Sequence, residues 1–341
     1  MAKRHYIIPV FVPHQGCPHD CVFCNQREIT GFQEEMTPKK VERIIEEYIS
    51  TMDRKNSKIE IAFYGGSFTG LEIKDQTRLL EVAYRYCQKG LVDNLRLSTR
   101  PDYIDREILT NLTKYNVQVI ELGVQSLVNK VLQASCRGHT AEDVVKSSQL
   151  IKEFGFDLGI QLMPGLPEST EDSMIYSVQK AVGLVPDLVR IYPTLIIGGT
   201  QLAELYYQGD FKPLTLMEAV EICKQELKLF RTYGIPVIRI GLQPSSGVNK
   251  EAVIAGPFHS AFRQLVESSL ALERIKTYLG DNVNEDQLTF KVNSKFNSVL
   301  RGQKNNNLKV LKEEYGIETK VEIDDSLTNR EILISEKKKK I

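Results

Sequence analysis

The chain has 341 residues, of which 42% are apolar and 26% charged, and its 44 basic and 44 acidic residues give a formal net charge of zero. This composition is typical of a globular protein with a full core, and it argues against intrinsic disorder, collagen-like repeats and a membrane protein. Because a neutral chain has no overall field that attracts nucleic acid or an anionic membrane, any such binding requires a local patch.

The N-terminus gives no sign of export. No apolar run approaches the roughly 20 residues that span a bilayer, and the short run after Arg4 ends at Pro13. Three of the six cysteines lie within eight positions, which suits a metal site in a reducing compartment better than a disulfide framework. We therefore expect a cytoplasmic protein without a membrane partner.

The first 240 residues alternate short β-branched or aromatic runs with longer stretches of helical periodicity. This alternation predicts an α/β fold of parallel strand–helix units, arranged as a partial (β/α)6 barrel of the TIM type. Helices are predicted to begin at Thr37-Pro38 and at Thr140. Strands are predicted at 7–12, 59–64, 95–98, 117–122, 157–162 and 188–192, with a seventh candidate at 235–240.

The alternation ends near residue 245, which predicts four segments. A barrel over 1–245 is followed by a helical connection over 246–286, which holds a helix at 261–279 and a polar linker. A small βααββ module over 287–335 comes next, and a basic tail over 336–341 is expected to be solvated.

A cysteine loop follows the first predicted strand. Cys17, Cys21 and Cys24 are separated by three and two residues, so a short loop can direct all three sulfurs to one centre. Structural zinc needs four protein ligands, so the zinc interpretation requires His14, His19 or a remote residue as well. Three cysteines can instead hold a [4Fe-4S] cluster that keeps one iron open. The position at a strand end favours the cluster, and zinc remains the alternative.

Polar and glycine residues follow the other predicted strands, where barrels of this type collect their functional groups. Glycines after a strand let a ligand approach the backbone, although a plain tight turn uses them too. Buried side-chain amides need hydrogen-bond partners, which a ribose, an amino acid or the protein itself can supply. An arginine can bind a carboxylate through two hydrogen bonds or form a surface ion pair. The candidates are Gly65, Gly66, Ser67, Ser98, Gln125, Arg137 and Gln161.

These motifs resemble the radical S-adenosylmethionine (radical SAM) superfamily. Its CX3CX2C loop, with an aromatic residue before the last cysteine, is matched by Cys17, Cys21, Phe23 and Cys24. Over about residues 5–245 the chain resembles the radical SAM half of the elongator catalytic subunit family, and more loosely the oxygen-independent coproporphyrinogen oxidases. The runs that carry the elongator resemblance are 98–104, 121–126, 137–140, 163–167 and 191–195.

The resemblance implies two cofactors, a [4Fe-4S] cluster on Cys17, Cys21 and Cys24 and a bound SAM. In the oxidases, positions that match Gln125, Arg137 and Gln161 contact SAM. The family's glycine motif, matched at 65–67 with Ser67 where many members carry Glu, accepts hydrogen bonds from the methionine amino group. A reducing partner such as flavodoxin or ferredoxin would start the cleavage of SAM to a 5'-deoxyadenosyl radical.

The chain departs from the elongator subunits in two respects. Those proteins usually space their first two cysteines more widely, and they continue into an acetyltransferase domain. No Gly-rich acetyl-CoA loop is found after residue 245, so acetyl transfer is not expected.

The predicted elements over 287–335 resemble a KH domain, in which a GxxG loop between two helices clamps a nucleic-acid backbone. The loop here is Gly302-Gln303-Lys304-Asn305, and Asn accepts positive φ more readily than most residues. Between 291 and 320, seven basic residues stand against three acidic ones. We expect Gly302 and Lys304 to contact RNA, and a small cap over the barrel edge is the alternative.

Three functions follow from these observations. The first is radical SAM modification of RNA, with tRNA as the preferred substrate. The second is a radical SAM enzyme that acts on a small molecule such as a tetrapyrrole. The third is a non-catalytic binding protein that zinc stabilises.

Overall fold

The computed structural model describes residues 4–12, 17, 20–25, 35–242, 252–280 and 287–336. The described residues within 1–219 and 229–258 form one compact unit, and those within 220–228 and 259–336 form another. Because 243–251 and 281–286 lie outside the described residues, the predicted boundaries of the helical connection remain predictions, as does the solvated tail.

The first unit is built on a seven-stranded sheet in which all neighbouring strands are parallel and follow one another in chain order. This is the topology of a partial barrel of strand–helix units, so the predicted fold class is confirmed. The predicted seventh strand belongs to the same sheet. The strands are β1 (Arg4–Phe11), β2 (Ser57–Tyr64), β3 (Asn94–Thr99), β4 (Val117–Gln125), β5 (Asp157–Leu162), β6 (Leu188–Ile191) and β8 (Val237–Ile240). A separate antiparallel pair consists of β7 (Ile196–Ile197) and β9 (Val253–Ala255).

Helices connect the strands, and several begin where side-chain caps satisfy the first backbone amides. Thr37 caps the first helix through the amide of Lys40, as predicted. Thr140 forms a capping box with Asp143. The helices of this part of the chain are α1 (Pro38–Thr51), α2 (Ile73–Gln88), α3 (Arg106–Leu112), α4 (Asn129–Ala134), α5 (Ala141–Glu153), α6 (Glu171–Gly183), α7 (Gln201–Gln208) and α8 (Leu216–Thr232). None of the helices in the described ranges combines the length and the apolarity that crossing a membrane requires.

The described residues of the second unit form a three-stranded sheet and the helices named below, and the middle of α8, Val220–Lys228, groups with them. The central strand β10 pairs in parallel with β11 and antiparallel with β12. Its core includes Phe290 and Leu311, with Ile275 from the preceding helix. The elements are α9 (Phe262–Leu279), β10 (Gln287–Val292), α10 (Asn297–Arg301), α11 (Asn306–Tyr315), β11 (Glu318–Ile323) and β12 (Ile332–Glu336). The described elements over 287–336 run in the order strand, helix, helix, strand, strand, and the bounds of the predicted module remain a prediction.

Gly159 makes room for a charged side chain on one face of the sheet. It is the register partner of Glu121 on β4, and a Cβ at this position would lie 2.7 Å from Cγ of Glu121 and 2.9 Å from Cδ1 of Leu188. Real Cβ atoms essentially never come so close to a neighbour. A residue with a side chain would therefore displace the carboxylate of Glu121 or the side chain of Leu188.

We predict that Gly159→Ala destabilises the protein by about 1–3 kcal/mol, because the new methyl group overpacks this site. The matched control is Gly183→Ala at the end of α6, where no atom lies within 4 Å of the added Cβ. The control should raise the free energy of unfolding, by no more than about 1 kcal/mol. Urea denaturation measures both free energies of unfolding, and equal stability of the two variants would contradict the packing argument.

Candidate functional site

The cysteine loop lies after β1, and none of its three cysteines forms a disulfide. Cys21 is buried, whereas Cys17 and Cys24 are half-buried. The backbone of the loop is held on two sides, because the amide of Val22 donates to the carbonyl of Ser135 at 3.2 Å and its carbonyl accepts from the amide of Leu202 at 2.7 Å. His14 and His19, the candidate fourth zinc ligands, lie outside the described residues.

Arg137 connects this loop to the end of β4. Its Nη1 donates to Sγ of Cys21 at 3.3 Å, and its Nη2 donates to the carbonyl of Gly123 at 2.7 Å. The side chain is buried, and Nε has no hydrogen-bond partner. Among the described residues, no carboxylate lies within ion-pair distance of this guanidinium.

A second buried guanidinium, that of Arg100, contacts the backbone of Arg137. It pairs with Asp102 at 2.9 Å and donates to the carbonyl of Arg137, while its Nη1 has no partner. Burial raises the pKa of the Cys17 thiol, although a hydrogen bond from the Ser67 backbone and the charges of Arg137 and Arg100 act in the opposite direction. The two guanidinium groups thus favour negative charge on the Cys17 sulfur.

The glycine motif follows β2, and Gly65 adopts a φ of 101°. The Ser67 hydroxyl lies 2.9 Å from Oγ1 of Thr99 and accepts from the amide of Arg100 at 3.3 Å. Ser67 thereby fixes this turn to the end of β3. The hydroxyl of Ser98 makes a longer contact of 3.5 Å with the carbonyl of Phe63.

The two predicted glutamines meet at the ends of β4 and β5. Nε2 of Gln161 donates to Oε1 of Gln125 at 3.1 Å, and Gln125 has a φ of 66°. A Cβ at Gly123 would lie 2.8 Å from Nη2 of Arg137 and 2.9 Å from Nε2 of Gln125. Gly123 therefore leaves space in which these side chains converge. Sequence reasoning did not single it out, although it stands in the run 121–126 that carried the resemblance.

A buried ion network was also missed. Glu121 pairs with Arg96 at 2.7 Å and with Arg190, and the Tyr64 hydroxyl donates to it at 3.0 Å. Burial raises the pKa of Glu121, but the charges of Arg190 and Arg96 outweigh it, so the pKa is lowered. The sequence did carry a signal for this network, because single charged residues such as Arg96, which stands between two leucines, interrupt otherwise apolar strands.

The network continues to Glu60 on β2, which pairs with Arg96 at 2.9 Å and with Lys58 at 2.8 Å. Burial raises the pKa of Glu60, but hydrogen bonds and the charge of Arg96 hold it at about 2. These charges compensate one another within the protein, unlike the charge of Arg137.

Comparisons with known proteins identify the family. The model of the radical SAM superfamily matches residues 11–181, and that of the radical SAM C-terminal domain matches residues 186–271. The chain belongs to the radical SAM superfamily. It is therefore a radical SAM enzyme, and the cofactors of its family are a [4Fe-4S] cluster and SAM.

Two curated relatives are similar to the barrel region. The chain is 30% identical over 255 residues to the tRNA uridine(34) acetyltransferase of Methanocaldococcus infernus, which covers 63% of this chain and 48% of that protein. It is 27% identical over 262 residues to Elongator complex protein 3 of Homo sapiens, covering 64% of this chain and 48% of that protein. The chain thus spans about half the length of the curated relatives it matches.

Solved structures support the fold. The structure of Elp3 from M. infernus has a TM-score of 0.61 at 24% identity, and the match covers 83% of this chain and 65% of that one. Coproporphyrinogen III oxidase (HemN) from Escherichia coli has a TM-score of 0.50 at 17% identity, covering 68% of this chain and 53% of that one.

The side chains at the site fit these cofactors chemically. Three cysteine thiols that are not in disulfides are suitable ligands for an iron-sulfur cluster. The unpartnered nitrogens of Arg137 and Arg100 offer donors to an anionic group. Gly123 leaves open the space that a side chain would fill. Within the part of the chain that the structure describes, no three His, Cys, Asp or Glu side chains are arranged to hold a metal ion. Cys17, Cys21 and Cys24 are among these residues, so the structure does not show their sulfurs converging on one centre, and the cluster remains a prediction.

His139 lies two residues after Arg137 and is buried. Its Nε2 donates to the carbonyl of Val124 at 3.2 Å, and Nδ1 has no partner. Burial, and then the positive charge of Arg137, lower the pKa of His139 to about 3. The imidazole is therefore neutral in the folded protein at neutral pH.

We predict that His139 makes stability fall as the pH is lowered from 7 to 5. The pKa is lower in the folded protein than its ordinary value of about 6.5, so the stabilisation is present above pH 6.5 and is lost below it. The loss at pH 5 should be about 2 kcal/mol relative to His139→Gln, which cannot ionise. Urea denaturation of both proteins at several pH values measures the difference, and parallel pH profiles would show the prediction to be wrong.

Proposed function

We propose that this radical SAM enzyme cleaves SAM reductively at a [4Fe-4S] cluster held by Cys17, Cys21 and Cys24, and that it modifies RNA, with tRNA as the substrate. The observation that supports the site best is the bridge by Arg137 between Sγ of Cys21 and the carbonyl of Gly123. This bridge brings the cysteine loop to the strand ends that carry Gln125 and Gln161.

The residues at the strand ends have separate roles in this proposal. Nη1 of Arg137 donates to the Cys21 sulfur, and the unpartnered Nε donates to the SAM carboxylate. Gln125 and Gln161, whose side chains are joined by a hydrogen bond of 3.1 Å, orient the ribose of SAM. The backbone carbonyls of Gly65 and Gly66 accept from the methionine amino group.

Ser67 and Ser98 contribute to SAM binding in different ways. Ser67 positions the glycine motif through Thr99 and the amide of Arg100. Ser98 follows on the next strand and contacts the cofactor from there. When bound, the cluster and SAM supply a 5'-deoxyadenosyl radical that removes a hydrogen atom from the substrate.

The RNA substrate is supported by the relatives and by the second unit. One relative is named as acting on tRNA uridine(34). In the loop between α10 and α11, Lys304 and Asn305 have φ values of 53° and 61°, and Gly302 packs so closely on Asn307 that a Cβ would lie 2.9 Å from its Oδ1. The loop therefore has a defined conformation that exposes Lys304.

The six lysines between residues 287 and 335 divide into two groups. Lys291, Lys312 and Lys320 form ion pairs with Glu322 or Glu318. Lys295, Lys304 and Lys309 are exposed, and within the described ranges none of the three has an ion-pair partner. Cations without a protein counterion can pair with phosphates at little cost in lost interactions. We propose that these three lysines contact the RNA backbone. Gly302 is buried, so it shapes the loop that exposes Lys304 and does not itself contact the RNA.

The cluster assignment predicts that Cys17→Ala, Cys21→Ala and Cys24→Ala each lose the iron and reduce 5'-deoxyadenosine formation to background. Wild-type protein reconstituted under anaerobic conditions should contain about four iron atoms per chain. Cys87→Ala, outside the proposed site, is the control and should keep both properties. Metal analysis and chromatography of the SAM products provide the measurement. One zinc per chain and no iron in anaerobically purified wild-type protein would establish the zinc alternative instead.

The RNA assignment predicts that the triple variant of Lys295, Lys304 and Lys309 to Ala binds tRNA roughly tenfold more weakly at moderate salt, with a shallower salt dependence. Lys312→Ala is the control, because Lys312 already pairs with Glu318 at 2.6 Å. Fluorescence anisotropy at several salt concentrations measures both. Unchanged binding by the triple variant would remove the second unit from the RNA interface.

The absence of any modified nucleoside after incubation with bulk RNA, SAM and reductant would favour a small-molecule substrate.

A further inference from the structure

Four charged side chains form a layer on one face of the seven-stranded sheet. They are Glu60 on β2, Arg96 on β3, Glu121 on β4 and Arg190 on β6, and each residue is at most 9% exposed. Ion pairs link them in that order. Two anions stand against two cations, so the charges of these four residues, which we call the charged layer, cancel.

Two tyrosines contact the charged layer from the carboxyl ends of their strands. Tyr64 is the last residue of β2, and Tyr192 directly follows β6. The Tyr64 hydroxyl donates to Glu121 at 3.0 Å and accepts from Nη2 of Arg190 at 2.9 Å. The Tyr192 hydroxyl accepts from Nη1 of Arg190 at 3.3 Å, and none of the described residues accepts a hydrogen bond from it. A phenol has one hydrogen to donate, so Tyr64 has used its hydrogen within the protein and Tyr192 has not.

The strand register places Tyr192 beside the proposed SAM site. Arg190 is the register partner of Gln161 on β5, and the Tyr192 amide donates to the carbonyl of Leu162 at 2.9 Å. Residues two apart on a strand share a face, and the hydrogen bond from Arg190 shows that Tyr192 lies on that same face. Tyr192 is half-buried, so part of it is accessible to a ligand next to Gln161.

A second hydroxyl follows at the same strand end. Thr194 is 2% exposed, and its Oγ1 has no hydrogen-bond partner. The Thr194 amide donates to the carbonyl of Pro164 at 2.9 Å, so the turn after β5 holds this residue in place. Buried hydroxyls normally have a partner. The end of β6 thus carries two hydroxyl hydrogens that the described part of the chain leaves unused.

We propose that the Tyr192 hydroxyl binds the substrate by donating a hydrogen bond to a carbonyl oxygen of the target base, and that Arg190 positions this hydroxyl. The inference rests on the proposed function and specifies its substrate. Uracil, cytosine and guanine carry a carbonyl oxygen, whereas adenine carries none. A neutral donor next to a layer whose charges cancel suits a neutral oxygen, because a phosphate would need the excess positive charge that this layer lacks.

The test uses Tyr192→Phe, which removes the hydroxyl and keeps the ring. The control is Tyr233→Phe, at a position that is 63% exposed. Reconstituted holoenzyme, SAM and dithionite are incubated with bulk tRNA at several concentrations, and 5'-deoxyadenosine and modified nucleosides are quantified. The Kd for SAM is measured separately by equilibrium dialysis without reductant.

We expect Tyr192→Phe to lower kcat/KM for tRNA about fivefold to tenfold, which is the effect of losing one neutral hydrogen bond. Its Kd for SAM should stay within about twofold of the wild-type value, because no bond to SAM is lost. Tyr233→Phe should match the wild type in both measurements.

Equal kcat/KM values for Tyr192→Phe and wild type would overturn the inference. So would a weakening of SAM binding that accounts for the whole loss, because Tyr192 would then support the cofactor and not the base. Wild-type protein that forms no 5'-deoxyadenosine, or forms it without any modified nucleoside, would instead contradict the proposed function. The two failures are therefore distinguishable.

A second measurement does not depend on turnover. Holoenzyme with SAM and bulk tRNA, but without reductant, is irradiated with ultraviolet light, and the crosslinked peptides are identified by mass spectrometry. The peptide that contains Tyr192 should carry a uridine, cytidine or guanosine nucleotide, and the peptide that contains Tyr233 should carry none. An adenosine on the Tyr192 peptide would overturn the inference, as would crosslinks at Lys304 with none at Tyr192. The absence of all crosslinks would contradict RNA as the substrate.

Discussion

The proposed site depends on one buried cation, the guanidinium of Arg137, which requires an anion beside it. The guanidinium of Arg137 lies inside the first unit, where an uncompensated charge is costly, and within the described ranges no carboxylate pairs with it. Its partners are the sulfur of Cys21 and a backbone carbonyl, and Nε remains unpartnered. An anionic cluster and the carboxylate of SAM would complete its environment. The same side chain holds the cysteine loop against β4, so that cofactor binding and the loop's position are coupled.

The ion network around Glu121 has a different role, because its charges compensate one another. Arg96 and Arg190 both pair with Glu121, and Gly159 gives that carboxylate its space. A buried network in which each charge has a partner makes the surrounding structure rigid, and here it joins β3, β4 and β6. The first unit thus contains one network of charges that neutralise one another. At the strand ends it also contains the guanidinium of Arg137, which a bound anion would neutralise. This distinction separates residues that maintain the fold from residues that are available to a cofactor.

The sequence predicted the parts of this arrangement that local rules determine. Strand–helix alternation predicted the parallel sheet, the caps at Thr37 and Thr140 predicted two helix starts, and the tolerance of Asn for positive φ agrees with the loop at Asn305. Contacts between distant positions could not be predicted. Arg137 and Cys21 are 116 residues apart, and the space left by Gly159 depends on its register with Glu121. The cysteine spacing predicts three cluster ligands, whereas the guanidinium that contacts Cys21 became visible only in the fold.

The central claim is that three thiols bind a [4Fe-4S] cluster and leave one iron open to SAM. Electron paramagnetic resonance of the dithionite-reduced, reconstituted protein tests this claim most directly. The account predicts the spectrum of a reduced [4Fe-4S] cluster whose shape changes when SAM is added, because the amino and carboxylate groups of SAM become ligands of the open iron. Arg137→Met should weaken the SAM-dependent change. A cluster spectrum that saturating SAM leaves unaltered, or a protein that holds zinc and gives no cluster spectrum, would contradict the account.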